Sequence, residues 1–228
     1  MSSPNRRRHN YRIPSDIDLW DAENVFYLKA PTSRFAKLLA HYELCRRIQS
    51  LPGAIVECGV YKGASLCRFA AFRTLLENDD SRRIYGFDTF GTFPTEGLSS
   101  RADLTFIENF EAAGGGGISL EDLQQALSDK GYDNIELIKG DVKETVPALL
   151  ERTAHLRVAL LHLDLDVYEP TRACLDHFLP HMTPGGLIVF DDYNAVEGAT
   201  RAADELCKSS ALAIQKLPFY NVPSFVQV

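Results

Sequence analysis

Two hydrophobic periods alternate along this chain, and they take turns in a regular order. From residue 50 onward, short apolar runs rich in β-branched residues occur at 54–58, 83–87, 135–138, 158–163 and 187–190. Stretches with helical spacing lie between and after them, at 64–77, 120–130, 146–151, 171–179 and 200–207. Strands alternating with helices predict a parallel sheet with crossover helices. Ahead of the sheet, 30–50 has amphipathic spacing and stops at Pro52-Gly53, which predicts one long helix. At the other end, 212–217 and 224–228 read as two more strands separated by Pro218 and Pro223, an antiparallel pair closing the sheet.

The pattern lapses between residues 87 and 120. That stretch holds Gly91, Pro94, Gly97 and the run Gly114-Gly115-Gly116-Gly117, with one helical piece at 104–113. A connection this long inside a compact domain is functional or disordered, and we expect a lid over 89–119. Ser119, with Asp122 three residues on, forms a weaker version of the capping box ahead of the helix at 120–130. The organisation expected is one α/β domain over 53–228, preceded by an arm and helix over 1–52 that serve as substrate lid or oligomer contact. Phe35, Leu38, Leu39 and Leu44 in that helix suit either a dimer interface or the core; a homo-oligomer, a dimer, is expected.

Composition narrows the partners. The chain has 228 residues, 45% hydrophobic and 24% charged, enough for a sizeable core. A formal charge of −7 argues against nucleic acid or an anionic membrane as the main partner. The exception is the cluster Arg6, Arg7, Arg8 and Arg12 beside His9, able to touch a phosphate but more often a solvated terminus. Five scattered cysteines lack metal spacing and suit reduced thiols. With no signal-peptide pattern and no apolar run near the ~20 residues that span a bilayer, a cytoplasmic location is expected.

Chemistry enters where strands end. Glu57-Cys58-Gly59-Val60-Tyr61-Lys62-Gly63-Ala64-Ser65 follows the first strand and opens a helix, the place of a nucleoside-binding turn. Gly59 and Gly63 admit a ligand close to the backbone, while Glu57 would repel a pyrophosphate and welcome a cation. S-adenosylmethionine, with its sulfonium and amino group, suits this turn better than NAD. Asp88, at the end of the second strand, is placed to accept both ribose hydroxyls. Asp141, after the third, sits where the adenine amino group falls. Each acid alone is as readily a solvated strand end; three in order favour a ligand. Val60, Tyr61 and Ser65 within the turn, Val142 beside Asp141, and Asp164 are expected to line the same cofactor site.

A second constellation follows. His162-Leu163-Asp164-Leu165-Asp166 closes the fourth strand and Asp191-Asp192 the fifth, so four carboxylates converge at neighbouring strand ends. Strand alternation sends Asp164 and Asp166 to one side. Such crowding is resolved by a bound cation, and hard oxygen donors favour Mg²⁺, Mn²⁺ or Ca²⁺ over Zn²⁺. His162, inside an apolar strand, reads as a satisfied interior histidine. D-x-D also permits a metal-dependent glycosyltransferase, against which Glu57 speaks, or a phosphatase with Asp164 as nucleophile, against which its late position speaks.

The strings IVECGVYKGAS, YGFDTFGTFP, LLHLDLDVYEPT and GGLIVFDDY together resemble the macrocin O-methyltransferase (TylF-type) family, from about residue 26 to 207. The resemblance implies a class I methyltransferase fold: Rossmann-like, α/β, doubly wound, with a mostly parallel seven-stranded sheet and an antiparallel C-terminal strand. It implies that Glu57, Gly59, Asp88 and Asp141 bind S-adenosylmethionine and that Ser119 contacts the adenine. It further implies that Asp164, Asp191 and Asp192 hold Mg²⁺, that Asp166 is the general base, and that the acceptor is a sugar hydroxyl of a natural product. Ala64 stands where the family commonly has a second glycine.

Overall fold

The computed structural model describes residues 11–228. The cluster Arg6, Arg7, Arg8 and His9 therefore lies outside the described residues. A seven-stranded sheet, ordered β3-β2-β1-β4-β5-β7-β6, organises the rest. Its strands are β1 (Ala54–Cys58), β2 (Ile84–Asp88), β3 (Ile135–Lys139), β4 (Val158–Leu163), β5 (Met182–Phe190), β6 (Gln215–Leu217) and β7 (Tyr220–Gln227). The first five run parallel, and β7 pairs antiparallel with β5 and with β6. The fold class expected from the alternating pattern is the one observed, including the antiparallel pair at the end.

Eight helices complete the described residues: α1 (Leu19–Lys29), α2 (Thr32–Arg47), α3 (Ala64–Leu76), α4 (Arg101–Gly114), α5 (Leu120–Asp129), α6 (Val142–Arg152), α7 (Tyr168–Phe178) and α8 (Glu197–Ser210). The sheet separates two apolar layers. Val56, Cys58, Val158, Leu161, Leu163, Ile188 and Phe190 pack with residues of α6, α7 and α8. Ile55, Ala159, Leu160, Leu187 and Val189 pack with Ala40, Leu44, Leu66, Phe69 and Leu123 of α2, α3 and α5. Strand periodicity carries this division to the strand ends, where Glu57 follows Ile55 and Asp191 follows Val189 onto the α2–α3 face.

Several boundaries depart from the sequence expectation for identifiable reasons. The helix expected at 30–50 is α2, and a further helix not expected from the pattern, α1, precedes it; Pro31 holds Ala30 extended (ψ 136°) and separates the two. Pro170 falls in the first turn of α7, where its missing N–H costs no bond, so that helix starts at Tyr168 rather than after the proline. Helix α6 starts at Val142 under an Asp141 cap and runs through Pro147. Strand β5 begins at Met182, ahead of an irregularity in its pairing with β4.

Of the four apolar residues weighed in the N-terminal helix, Leu44 is core. Leu38 packs against the core's edge, Phe35 meets the rings of Phe26 and Tyr27, and Leu39 is exposed. No residue of α1 is buried. No helix among the described residues is long and apolar enough to cross a membrane.

Candidate active site

The carboxyl ends of β1, β2, β4 and β5 open into one cavity of about 1480 Å³. Its first wall is the turn from β1 into α3. Gly59 has φ +93°, and a Cβ there would lie 1.8 Å from the Asp164 carbonyl oxygen, so only glycine lets the turn seat against the end of β4. The Asp164 amide donates to the Cys58 carbonyl at 2.9 Å from the other side. Asp88 fixes the same turn. Its Oδ2 accepts from the Val60 and Tyr61 amides, each at 2.8 Å, and its Oδ1 from the Phe90 amide at 2.7 Å.

The stretch expected to be a lid does line the cavity, through Thr89, Gly91–Pro94, Leu98, Phe110 and the four glycines. It is strapped onto the turn. The Tyr61 hydroxyl and the Lys62 ammonium both donate to the Gly114 carbonyl at 2.8 Å, and the Ile118 amide donates to the Tyr61 carbonyl at 2.8 Å. A Cβ on Gly117 would meet that Tyr61 carbonyl at 2.9 Å, which accounts for a glycine at that position.

On the floor lie the four acids. Asp164, Asp166 and Asp192 offer oxygens within 4.8 Å of one another. Desolvation first, then the Asp164 and Asp191 charges, raises Asp166 to about 7. Desolvation, then Asp166 and Asp191, raises Asp192 to about 8, and Asp164 is raised too. Oδ2 of Asp192 is buried without a hydrogen-bond partner. Asp166 lies beyond the end of β4, so strand alternation does not place it. A left-handed backbone (φ +62°) turns it toward its neighbours, a strained conformation for a residue with a side chain.

Asp191 is held differently. Its Oδ1 lies 3.4 Å from His162 Nε2, and the Lys37 ammonium hydrogen-bonds its Oδ2. His162 Nδ1 in turn lies 3.1 Å from Glu57 Oε1, a contact that the β1–β4 register makes by pairing Glu57 with His162. Burial disfavours charge on His162, yet the bonds to Asp191 and Glu57 outweigh it and carry the group up to about 10. His41 is stacked on Phe69 and 3.9 Å from Asp191; neither ring nitrogen makes a hydrogen bond among the described residues, and burial drives it down to about 4.

Of the residues expected to bind cofactor, Gly59, Val60, Tyr61, Ser65, Asp88, Asp141, Val142 and Asp164 line the cavity. Glu57, Gly63 and Ser119 stand behind its wall. Glu57 is fully buried against His162, Gly63 opens α3, and the Ser119 hydroxyl accepts from the Asp122 amide at 3.0 Å as the cap of α5. Asp141 lines the cavity while capping α6 through Lys143 N at 2.9 Å. Sequence reasoning missed Lys37 and His41, and it read His162 as a satisfied interior histidine, which its burial and its contacts with Glu57 and Asp191 bear out. The available signal was Lys37 and His41 four residues apart on one helix face, and a histidine in β4 with the parity of Leu160, the parity that puts it beside Glu57.

The strand order and the cavity at the parallel strands' carboxyl ends are those of class I methyltransferases. The calicheamicin methyltransferase CalS11 superposes with a TM-score of 0.74 at 28% identity, covering 93% of this chain and 86% of that one. The O-methyltransferase NovP shares the fold at 21% identity with a TM-score of 0.72, over 84% and 78% of the two chains. Within that class, the sequence profile described as macrocin-O-methyltransferase (TylF) matches residues 30–216, and this chain belongs to that family. Among its relatives is an 8-demethyl-8-(2,3-dimethoxy-alpha-L-rhamnosyl)-tetracenomycin-C 4'-O-methyltransferase of Streptomyces olivaceus, 31% identical over 63% of this chain. Another is the mycinamicin III 3''-O-methyltransferase of Micromonospora griseorubida, 30% identical over 63%. The chain spans about half the length of these curated relatives, 54% and 56%.

Proposed function

We propose that this chain is an S-adenosylmethionine-dependent O-methyltransferase that methylates a sugar hydroxyl in natural-product biosynthesis and uses Mg²⁺ or Mn²⁺. The observation that carries this reading is the set of acids on the cavity floor, with Asp164, Asp166 and Asp192 at raised proton affinity, beside a glycine turn that packs on Asp164. Family membership and the relatives' names supply the reaction class. They also remove the support for a glycosyltransferase or phosphatase reading of the D-x-D string.

The residues fit both absent groups. Half-buried acids at raised proton affinity, one with a buried orphan oxygen, are a donor set for a hard divalent cation. The Lys37 ammonium marks where positive charge is favoured: apart from its desolvation, Asp191, Asp164 and Asp192 are the groups that hold it charged. These are also the three ligands the resemblance implies. Asp164, Asp191 and Asp192 are therefore proposed to hold the metal, with Lys37 leaving Asp191 when it binds. The geometric trio of Asp164, Asp166 and Asp192 is the second reading, favoured by its mutual distances. When bound, the metal lowers the proton affinity of the acceptor hydroxyl and the cofactor supplies an electrophilic methyl group.

The chain's own contribution is placement and proton transfer. Asp88 and the Val60–Tyr61 backbone form the cradle proposed for the nucleoside, and Asp141 and Val142 its far wall. Asp166, beside Asp164 and Asp192 on the cavity floor, is placed to accept the acceptor's proton. Phe93, Pro94, Leu98 and Phe110 give the cavity an apolar side that limits water. The test is calorimetric binding of adenosylhomocysteine, then methyl transfer to a panel of nucleotide-linked and aglycone-linked deoxysugars with and without Mg²⁺. A protein that does not bind adenosylhomocysteine is not this enzyme.

A further inference from the structure

Helices α7 and α8 both start without a side-chain cap of their own. Val167 and Val196 occupy their N-cap positions, and neither side chain can accept from the first-turn amides. The loops that lead into these two helices carry Asp166 and Asp192. A carboxylate from another element fills the gap. Asp103, in the first turn of α4, is 2% exposed, and its Oδ2 accepts from the Tyr168 amide at 3.0 Å. Gly198, in the first turn of α8, packs on the same group. A Cβ there would lie 2.7 Å from both Asp103 carboxylate oxygens and 2.5 Å from the Tyr168 nitrogen. One buried side chain thus joins the starts of two helices to a third.

Asp103 makes no ion pair among the described residues and stands outside the cavity lining. A buried carboxylate without a paired cation is costly, and filling space would not require one. What depends on this junction is Asp166. Its left-handed backbone persists only where the surroundings enforce it. Part of the enforcement comes from α8, whose Ala199 amide donates to the Asp166 carbonyl at 3.1 Å, and Ala199 follows Gly198. The rest comes from α7, which begins two residues on at Tyr168, the residue whose amide Asp103 holds. The Asp192 carbonyl is tied to the start of α8 as well, accepting from the Val196 amide at 3.0 Å. A second tie joins the 89–119 stretch to α7: Glu169 Oε1 accepts from the Ser99 amide at 3.0 Å and from its hydroxyl at 2.7 Å.

We propose that Asp103 is a positioning residue for the methyl transfer. From behind the cavity it pins the starts of α7 and α8 to α4, and so couples the docking of that helix to the placement of Asp166. The inference rests on the methyltransferase reading and on Asp166 as its base. Three variants probe it. Asp103→Ala removes the acceptor, Asp103→Asn keeps one oxygen, and Gly198→Ala inserts a methyl group at the junction while raising the helix propensity of α8. Each is compared with wild type by hydrogen–deuterium exchange, calorimetry with adenosylhomocysteine, Mn²⁺ binding, and steady-state kinetics on the panel sugar that wild type methylates fastest. Circular dichroism confirms that each is folded, and if Asp103→Ala is not, the other two carry the comparison.

Asp103→Ala and Gly198→Ala are expected to exchange faster at the starts of α7 and α8 and to lose at least about tenfold in kcat. Asp103→Asn should recover part of that loss. Affinities for adenosylhomocysteine and Mn²⁺ and the KM for the sugar should stay within a few-fold. In an Asp166→Asn background the loss should disappear, because the group being positioned is already disabled. Unchanged kcat in the folded variants, unchanged exchange at both helix starts, or a loss that persists in full beside Asp166→Asn would overturn the inference. Wild-type turnover in Asp166→Asn alone would overturn the reading of Asp166 as base and this inference with it. Failure of wild type to bind adenosylhomocysteine would instead overturn the underlying function.

Discussion

Two groups of acids lie a few residues apart on this cavity floor, and the fold treats them in opposite ways. Asp191 is neutralised from within: His162 on one oxygen, Lys37 on the other, with Glu57 completing the chain behind His162. It is accordingly held well below the usual carboxylate range, burial being overcome by those partners. Asp166 and Asp192 face the cavity without a cationic partner of their own and are pushed up to about 7 and about 8. The protein thus compensates one acid and leaves the others to be compensated by something that arrives. Asp191 can ligate a cation only by giving up Lys37, whereas Asp164 and Asp192 are open to one as they stand.

That contrast can be broken at several points. Asp166→Asn is nearly isosteric and touches none of the Asp191 partners. Turnover is expected to fall by ~10²–10⁴, the range for losing a general base, with adenosylhomocysteine affinity within a few-fold by calorimetry. Asp191→Asn strikes the compensated group instead. It strips the buried His162 and Lys37 of their shared anion, and a loss of roughly 3–5 kcal/mol in urea unfolding is expected. Equal stability of the two variants would erase the distinction.

Smaller effects sharpen the same picture. Asp88→Ala removes an acceptor on the cavity wall, and adenosylhomocysteine binding should weaken by ~2 kcal/mol, about thirtyfold. Ser119→Ala removes a cap that stands behind the wall. It should cost about 1 kcal/mol of stability while leaving adenosylhomocysteine affinity unchanged. A clear loss of affinity would put Ser119 back among the cofactor contacts that the family resemblance implied.

The sheet was legible because its signal is local: apolar runs of strand length, each ended by Gly or Asp, alternating with helical spacing. The acids at the strand ends were legible for the same reason. What was not legible depends on contacts between distant segments. Pairing of Lys37 with Asp191 joins residues 154 apart in sequence, and no spacing announces it. His162 looked like an interior histidine, and it is buried; only the β1–β4 register reveals that its neighbours are Glu57 and Asp191. Asp166 was expected to follow strand alternation, but it lies past Leu163, the last residue of β4, where a left-handed turn decides its direction. Helix starts at Val142, Tyr168 and Glu197 fell earlier than expected because a proline within the first turns does not prevent a helix, and because caps and tertiary packing set ends more than periodicity does.

The central claim is that the cavity acids hold a divalent metal through Asp164, Asp191 and Asp192 while Asp166 stays free to take a proton. A titration of Mn²⁺ into chelator-treated protein, followed by electron paramagnetic resonance, tests it directly in wild type, Asp166→Asn and Asp191→Asn. The account predicts one tightly bound ion per chain in wild type, retention within a few-fold in Asp166→Asn, and a large loss in Asp191→Asn. Retention in Asp191→Asn with loss in Asp166→Asn would show that the ligand and base roles are reversed, and no Mn²⁺ binding to wild type would contradict the metal site altogether.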